Sequence, residues 1–325
     1  MALPPPLDTP LRVPVLAAPM FIVSGPELVA AQIRAGVIGS FPALNARPQS
    51  ELGDWLAEIA GTAGTAAPYA VNLIVHRSND RLDADLATVA EHRVPVVITS
   101  LGARAEVNEA VHAYGGLVLH DVTTDRFARK AVEKGADGLI AVAAGAGGHA
   151  GTLSPFALVR EIRRWFDGPL ALSGAIAHGA SVLAAVAAGA DLAYVGSAFL
   201  PTRECRAAAA YKDMVLGSSS ADIVYTSRFS GVPANYLRGS IEAAGLDPVP
   251  ATGTDPTLMD FGSAPDDRPG PRPWRDVWGA GQGIADVERA GTTAELVDRL
   301  AEEYDAALRG LGDRVPQGRD PAPTG

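Results

Sequence analysis

Cysteine is almost missing from this chain. Cys205 is the sole one in 325 residues, so no intrachain disulfide can form, and no Cys/His set has the spacing of a metal site. That predicts a reducing, cytoplasmic setting. Basic charge is scarce as well: there are 27 Lys+Arg against 37 Asp+Glu, a net charge of −10. This excludes nucleic acid or an anionic membrane surface as a partner, since both need a basic face. No uninterrupted apolar run is long enough to span a bilayer. Val182–Ala190 is apolar but short, is punctuated by Gly179 before it and Gly189 near its end, and reads as buried helix. The opening MALPPPLDTPLR lacks the basic segment and apolar run of a signal peptide. Aromatic residues make up only 6%, and no GxGxxG follows the first predicted strand, so a dinucleotide fingerprint is absent.

What remains is an Ala- and Gly-rich chain, 47% hydrophobic, suited to close packing of helices on a sheet. Continuous apolar runs predict strands at Val13–Ala18, Val37–Ser40, Tyr69–Val75, Val94–Ser100, Gly116–Val122, Gly138–Ala144, Pro169–Gly174 and Leu192–Gly196. Runs without alternation suit strands covered on both faces. Helical periodicity lies between them, at Pro26–Ala35, Gln49–Ala60, Arg81–His92, Ala105–Tyr114, Asp125–Lys134, Pro155–Phe166 and Ala180–Ala188. Ser24 precedes Gly25-Pro26-Glu27 as a candidate cap for the first helix. Eight such units predict an α/β (β/α)8 TIM barrel over residues 1–216; a doubly wound open sheet is the competitor. The last unit ends in a helix at Arg203–Leu216. Residues 217–273, rich in Gly, Pro, Ser and Asp, read as a lid-like insertion. Residues 274–312 read as a closing segment with a helix at Thr293–Leu308, and 313–325 as a flexible tail.

One turn stands out. AVAAGAGGHAGTLS at 141–154 carries a strand into a glycine-rich loop with His149 at its centre. Glycines allow close backbone approach to a ligand, and an imidazole has a pKa near working pH. A bare strand-to-helix turn with a capping histidine is the plainer reading. In a barrel, however, the strands' carboxyl ends form one mouth. It would gather Ala18-Pro19-Met20, Asn72, His120-Asp121, Ala144 to His149, Ser173-Gly174-Ala175 and Gly196-Ser197. This set is small and polar, with no carboxylate cluster for a metal. The Ser-Gly and Gly-Ser pairs ending the seventh and eighth strands suit a phosphate held by backbone N–H groups. Asn72 suits the edge of a heteroaromatic ring, and Met20 a flat apolar surface. Together they point to FMN.

In order along the chain, AAPM at 17–20, YAVNLIV around Asn72, GAGGHAG at 145–151, LSGAI at 172–176, AAGADLAYVGSAFL at 187–200 and WGAGQGI at 278–284 resemble the nitronate monooxygenase family of FMN-dependent barrels, formerly called 2-nitropropane dioxygenases. The resemblance implies that Ala18, Pro19 and Met20 line the flavin and that Asn72 binds its ring. It implies that Ala144, Gly147 and Gly148 pass close to the ring, that Ser173, Gly174, Ala175, Gly196 and Ser197 hold the phosphate, and that Gln282 returns to ring or substrate. It makes His149 the active-site histidine, taking a proton from the carbon beside a nitro group or orienting a preformed nitronate. The implied reaction is oxidation of an alkyl nitronate by O2 to a carbonyl compound and nitrite. Two departures stand out: Asp121 occupies a place where some relatives carry lysine, and there suits ribityl hydroxyls; Ala175 replaces a second glycine. Two rivals remain open. One is an FMN-dependent NAD(P)H:quinone or enoyl-thioester reductase. The other is a flavin-free barrel binding a phosphorylated metabolite. A homo-oligomer is compatible with the sequence, which does not set the oligomeric state.

Overall fold

The structure, a computed structural model, describes residues 3–62, 67–248 and 271–314, with side chains to residue 311. Eight parallel strands form one sheet: β1 (Val15–Ala17), β2 (Gly39–Pro42), β3 (Tyr69–Ile74), β4 (Val96–Ser100), β5 (Leu117–Val122), β6 (Gly138–Val142), β8 (Leu170–Ser173) and β9 (Leu192–Val195). The two-residue β7 (Gly148–His149) lies outside this sheet. The sheet order is β1-β9-β8-β6-β5-β4-β3-β2. A parallel bridge between Leu16 and Ile38 joins its two ends, with the Ala17 N–H donating to Ile38 O at 2.8 Å. The sheet therefore closes, and the barrel expected from the sequence is present.

Seven helices follow the strands: α1 (Pro26–Arg34), α2 (Glu51–Thr62), α3 (Leu82–Glu91), α4 (Ala105–His112), α5 (Asp125–Glu133), α6 (Pro155–Ile162) and α7 (Gly179–Ala188). The strands are buried on both faces, which is why they read as unbroken apolar runs. One face of β3, with Tyr69, Val71 and Leu73, packs on the helices. The other, with Ala70, joins Leu16, Ile38, Ile98, Leu119 and Ile140 in the lumen. Polar residues enter that inward set only near the strand ends.

Three local readings needed correction. Ser24 does not cap α1; Gly25 stands at the cap without a side-chain bond, and the Ser24 hydroxyl instead accepts from Met20 N at 3.0 Å. The second strand begins at Gly39 rather than Val37. The helix expected from Arg203 begins only at α8 (Ala209–Leu216). The Arg203 amide is taken by Gly291 O at 2.9 Å and that of Arg206 by Val23 O at 3.0 Å, so tertiary partners replace the helical ladder.

Within the segment expected to be a lid, residues 217–248 contain β10 (Ile223–Thr226), β11 (Ala234–Leu237) and α9 (Arg238–Ala243). These carry their own buried cluster of Val224, Ala234, Tyr236, Ile241 and Val277. The composition did not reveal these strands, because each has only four residues. β11 pairs with β10 on one side and with β7 on the other, Ala234 opposite His149 and Asn235 opposite Gly148. The rest of the expected lid, 249–270, lies outside the described residues. α10 (Thr293–Arg314) packs on α7, with Glu303 Oε2 accepting from Gly179 N at 2.7 Å. The expected tail lies outside the described residues from 315 on.

Candidate active site

Strand alternation sends Ala18, Pro42, Asn72, Ser100, Asp121, Ser173 and Gly196 to the inward face at the strand ends. All of them line a single cavity of about 710 Å³ at the barrel mouth. Pro19, Met20, Gly147, Gly148, His149, Gly174, Ala175 and Ser197 line it too. Two expected residues do not. Ala144 turns away, its N–H donating to Leu153 O at 2.8 Å. The Gln282 side chain is exposed, while its N–H donates to Gly145 O at 2.9 Å. Both N–H groups tie the glycine-rich turn, and Gln282 Oε1 stands 3.0 Å from where a Cβ on Gly145 would be.

The cavity floor is one connected polar chain. Asn72 donates its amide hydrogens to Ile98 O at 3.1 Å and Ser100 Oγ at 2.7 Å. Ser100 in turn donates to Asp121 Oδ2 at 2.5 Å. The other oxygen, Asp121 Oδ1, is buried with no partner among the described residues. Burial pushes the Asp121 carboxyl up to about 7, against the lowering effect of the Ser100 hydrogen bond. Burial and the charge of Asp121 together hold the Tyr194 phenol well above its ordinary range. His120 borders the cavity, but its Nδ1 lies 2.6 Å from Thr99 Oγ1, and burial pushes its pKa down to about 4.

His149 sits where the sixth-strand loop meets the hairpin. Its pKa is also pushed down to about 4 by desolvation, so the imidazole is neutral at working pH. Its ring stands edge-on to Trp274, with centroids 5.3 Å apart at 89°. Its Nε2 is 3.3 Å from Ser230 Oγ.

The glycines around it answer to close contacts. A Cβ on Gly147 would come within 2.8 Å of Gly281 N and 2.9 Å of Ser197 Oγ, because three loops converge there. Ser197 Oγ accepts the Gly281 N–H at 2.8 Å. Gly174 has φ +142°, and Ala175 next to it sits at φ 55°, a left-handed conformation that favours glycine. The departure at Ala175 thus places a side chain on a backbone built for none.

The sequence reading missed the supports of the site. Asn45 ties down the 18–24 loop: its Nδ2 donates to Met20 O at 3.0 Å and Ser24 O at 2.8 Å, and its Oδ1 accepts from Ile22 N at 2.7 Å. Buried Asn235 donates to Ala146 O at 2.6 Å, from 89 residues away. Tyr211 stacks on Trp278 with centroids 4.9 Å apart and bonds Gly279 O. No local spacing signals such long-range partners. Among the described residues, Lys130 is the one Lys or Arg on the cavity wall, and no cluster of His, Cys, Asp or Glu could hold a metal.

A family model for nitronate monooxygenase matches residues 8–247. The chain belongs to the nitronate monooxygenase family. It is 28% identical to a nitronate monooxygenase of Paraburkholderia phytofirmans, over 92% of this chain and 94% of that one. It is 29% identical to a nitronate monooxygenase of Pseudomonas aeruginosa, over 90% and 96%. Among solved structures, a nitroalkane oxidase from Streptomyces ansochromogenes superposes with a TM-score of 0.78 at 26% identity, covering 93% of this chain and 98% of that one. As a member of this family the protein is an oxidoreductase, and the likeness supports oxidation of nitronates or nitroalkanes. No helix among the described residues is long and apolar enough to cross a membrane.

Proposed function

We propose that this chain binds FMN in the barrel mouth and oxidises alkyl nitronates with O2 to a carbonyl compound and nitrite, His149 acting as base or anion partner. The observation that carries this reading is the placement of His149. A neutral, desolvated imidazole lines a mouth that also holds the Ser-Gly and Gly-Ser turns. The residues present fit the cofactor. Ala18, Pro19 and Met20 offer an apolar platform, and Gly174 and Gly196 leave main chain open for a phosphate. The floor carries an unpartnered carboxyl oxygen, Asp121 Oδ1, that a hydroxyl-rich ligand would satisfy. With Asn72 donating both hydrogens to protein, it offers the ring only its carbonyl oxygen, an acceptor.

Bound flavin would supply the redox chemistry; the chain supplies position and a proton acceptor. A neutral imidazole can take the proton on the carbon beside a nitro group, and burial keeps it from being protonated beforehand. Lys130 gives the wall one positive charge toward an anionic nitronate. The purified protein should be yellow, release FMN, and bleach on anaerobic mixing with a nitronate. A colourless protein that takes up no FMN overturns the reading. His149→Ala should keep FMN yet lose turnover of neutral nitroalkanes by about 10²–10⁴-fold, with a smaller loss on preformed nitronates, whose proton has already gone. Equal losses on both would make His149 a pocket residue only.

A further inference from the structure

Hydrogen-bond counting around Ser230 fixes more than the position of His149. Ser230 is buried, and its hydroxyl has three neighbours. Val232 O lies at 3.0 Å, Tyr236 OH at 3.0 Å, and His149 Nε2 at 3.3 Å. A hydroxyl has one proton and two acceptor sites. Two oxygens at 3.0 Å need a proton between them, and a carbonyl brings none, so the Ser230 proton goes to Val232 O. The Tyr236 phenol, fully buried, must then donate its own proton into Ser230. The one remaining site on Ser230 is an acceptor, and it faces His149 Nε2. A lone pair there would meet a lone pair, so Nε2 must carry hydrogen.

From this count we infer that Ser230 is a positioning residue: it holds His149 in the Nε2–H tautomer and leaves Nδ1 as the basic nitrogen. Nδ1 has no hydrogen-bond partner among the described residues, and His149 lines the cavity. The edge-on Trp274 ring fixes the rotation of the imidazole without competing for either nitrogen. The hairpin thus sets which atom of the base meets substrate. The catalytic half of this inference rests on the reading of His149 as the base; the tautomer does not.

The test is nitrogen NMR on the FMN-loaded protein with ¹⁵N-labelled histidine near pH 7, the His149 signals being identified by their loss in His149→Ala. The expected pattern is a protonated Nε2 and an unprotonated Nδ1. A protonated Nδ1 in the wild-type protein overturns the inference whatever the activity. A protonated Nε2 in a protein inert toward nitronates upholds the tautomer and removes only its catalytic use. Ser230→Ala should lose the single tautomer and slow turnover of a neutral nitroalkane about ten-fold, the scale of one lost hydrogen bond. Ser230→Thr, which keeps the hydroxyl, should restore both. Tyr236→Phe leaves the bonds to Val232 and His149 in place and should keep the wild-type tautomer. An unchanged tautomer in Ser230→Ala, or a switched one in Tyr236→Phe, overturns the role given to Ser230.

Discussion

Two residues on the mouth are held at a cost to stability. Ala175 has φ 55°, where an L side chain loses about 1–2 kcal/mol. Ala175→Gly relieves that strain but gives the unfolded chain more freedom. The balance should be a gain of about 0.5–1 kcal/mol, read as a higher thermal midpoint; an unchanged or lower midpoint would show that Ala175 is unstrained. Asp121 is costly through its charge. Its folded pKa, about 7, lies above the ordinary carboxylate range, so between about pH 4 and 7 the native state holds a proton that the unfolded chain has lost. Stability therefore falls as pH rises through that window and levels off above it. Asp121→Asn keeps the acceptor for Ser100 and removes the charge. It should stabilise by about 1–3 kcal/mol at pH 8 and by much less at pH 4. A pH-independent gain would sink the account.

At the scale of elements, the ladder β10-β11-β7 decides whether the glycine-rich turn is a site or a loose loop. Buried Asn235 crosses that ladder to Ala146 O at 2.6 Å. Asn235→Ala should cost about 1–3 kcal/mol and weaken flavin retention, measured by urea unfolding and FMN release; full retention would place the support of the turn elsewhere. Elements also divide what could be read in advance from what could not. Buried parallel strands announce themselves as apolar runs, so all eight barrel strands were legible, and most of the residues expected at the mouth line the cavity. β10 and β11 were not: each is short, and their burial comes from neighbours such as Val277 and Trp274 far along the chain. Gln282 stands between Gly281 and Gly283, which line the cavity, and its N–H donates to Gly145 O at 2.9 Å, a bond that the motif alone did not reveal.

For the molecule as a whole, FMN should act as a stabilising ligand, since the mouth joins loops from both ends of the chain. Free FMN at about 100 times its dissociation constant should add about 2.7 kcal/mol, visible as a rise in thermal midpoint. Gly174→Asp should abolish that rise, because a side chain and negative charge would enter the main-chain cradle at φ +142°; an undiminished rise would put the phosphate elsewhere. The bonds that fasten the 146–150 turn come from Tyr225, Ser230 and Asn235, across 75, 81 and 89 residues. On the ribosome, where the N-terminal part of a chain folds first, every barrel strand is therefore synthesised before any of these partners. The turn that carries His149 thus gains its fastenings only once the sheet that bears it is complete in sequence.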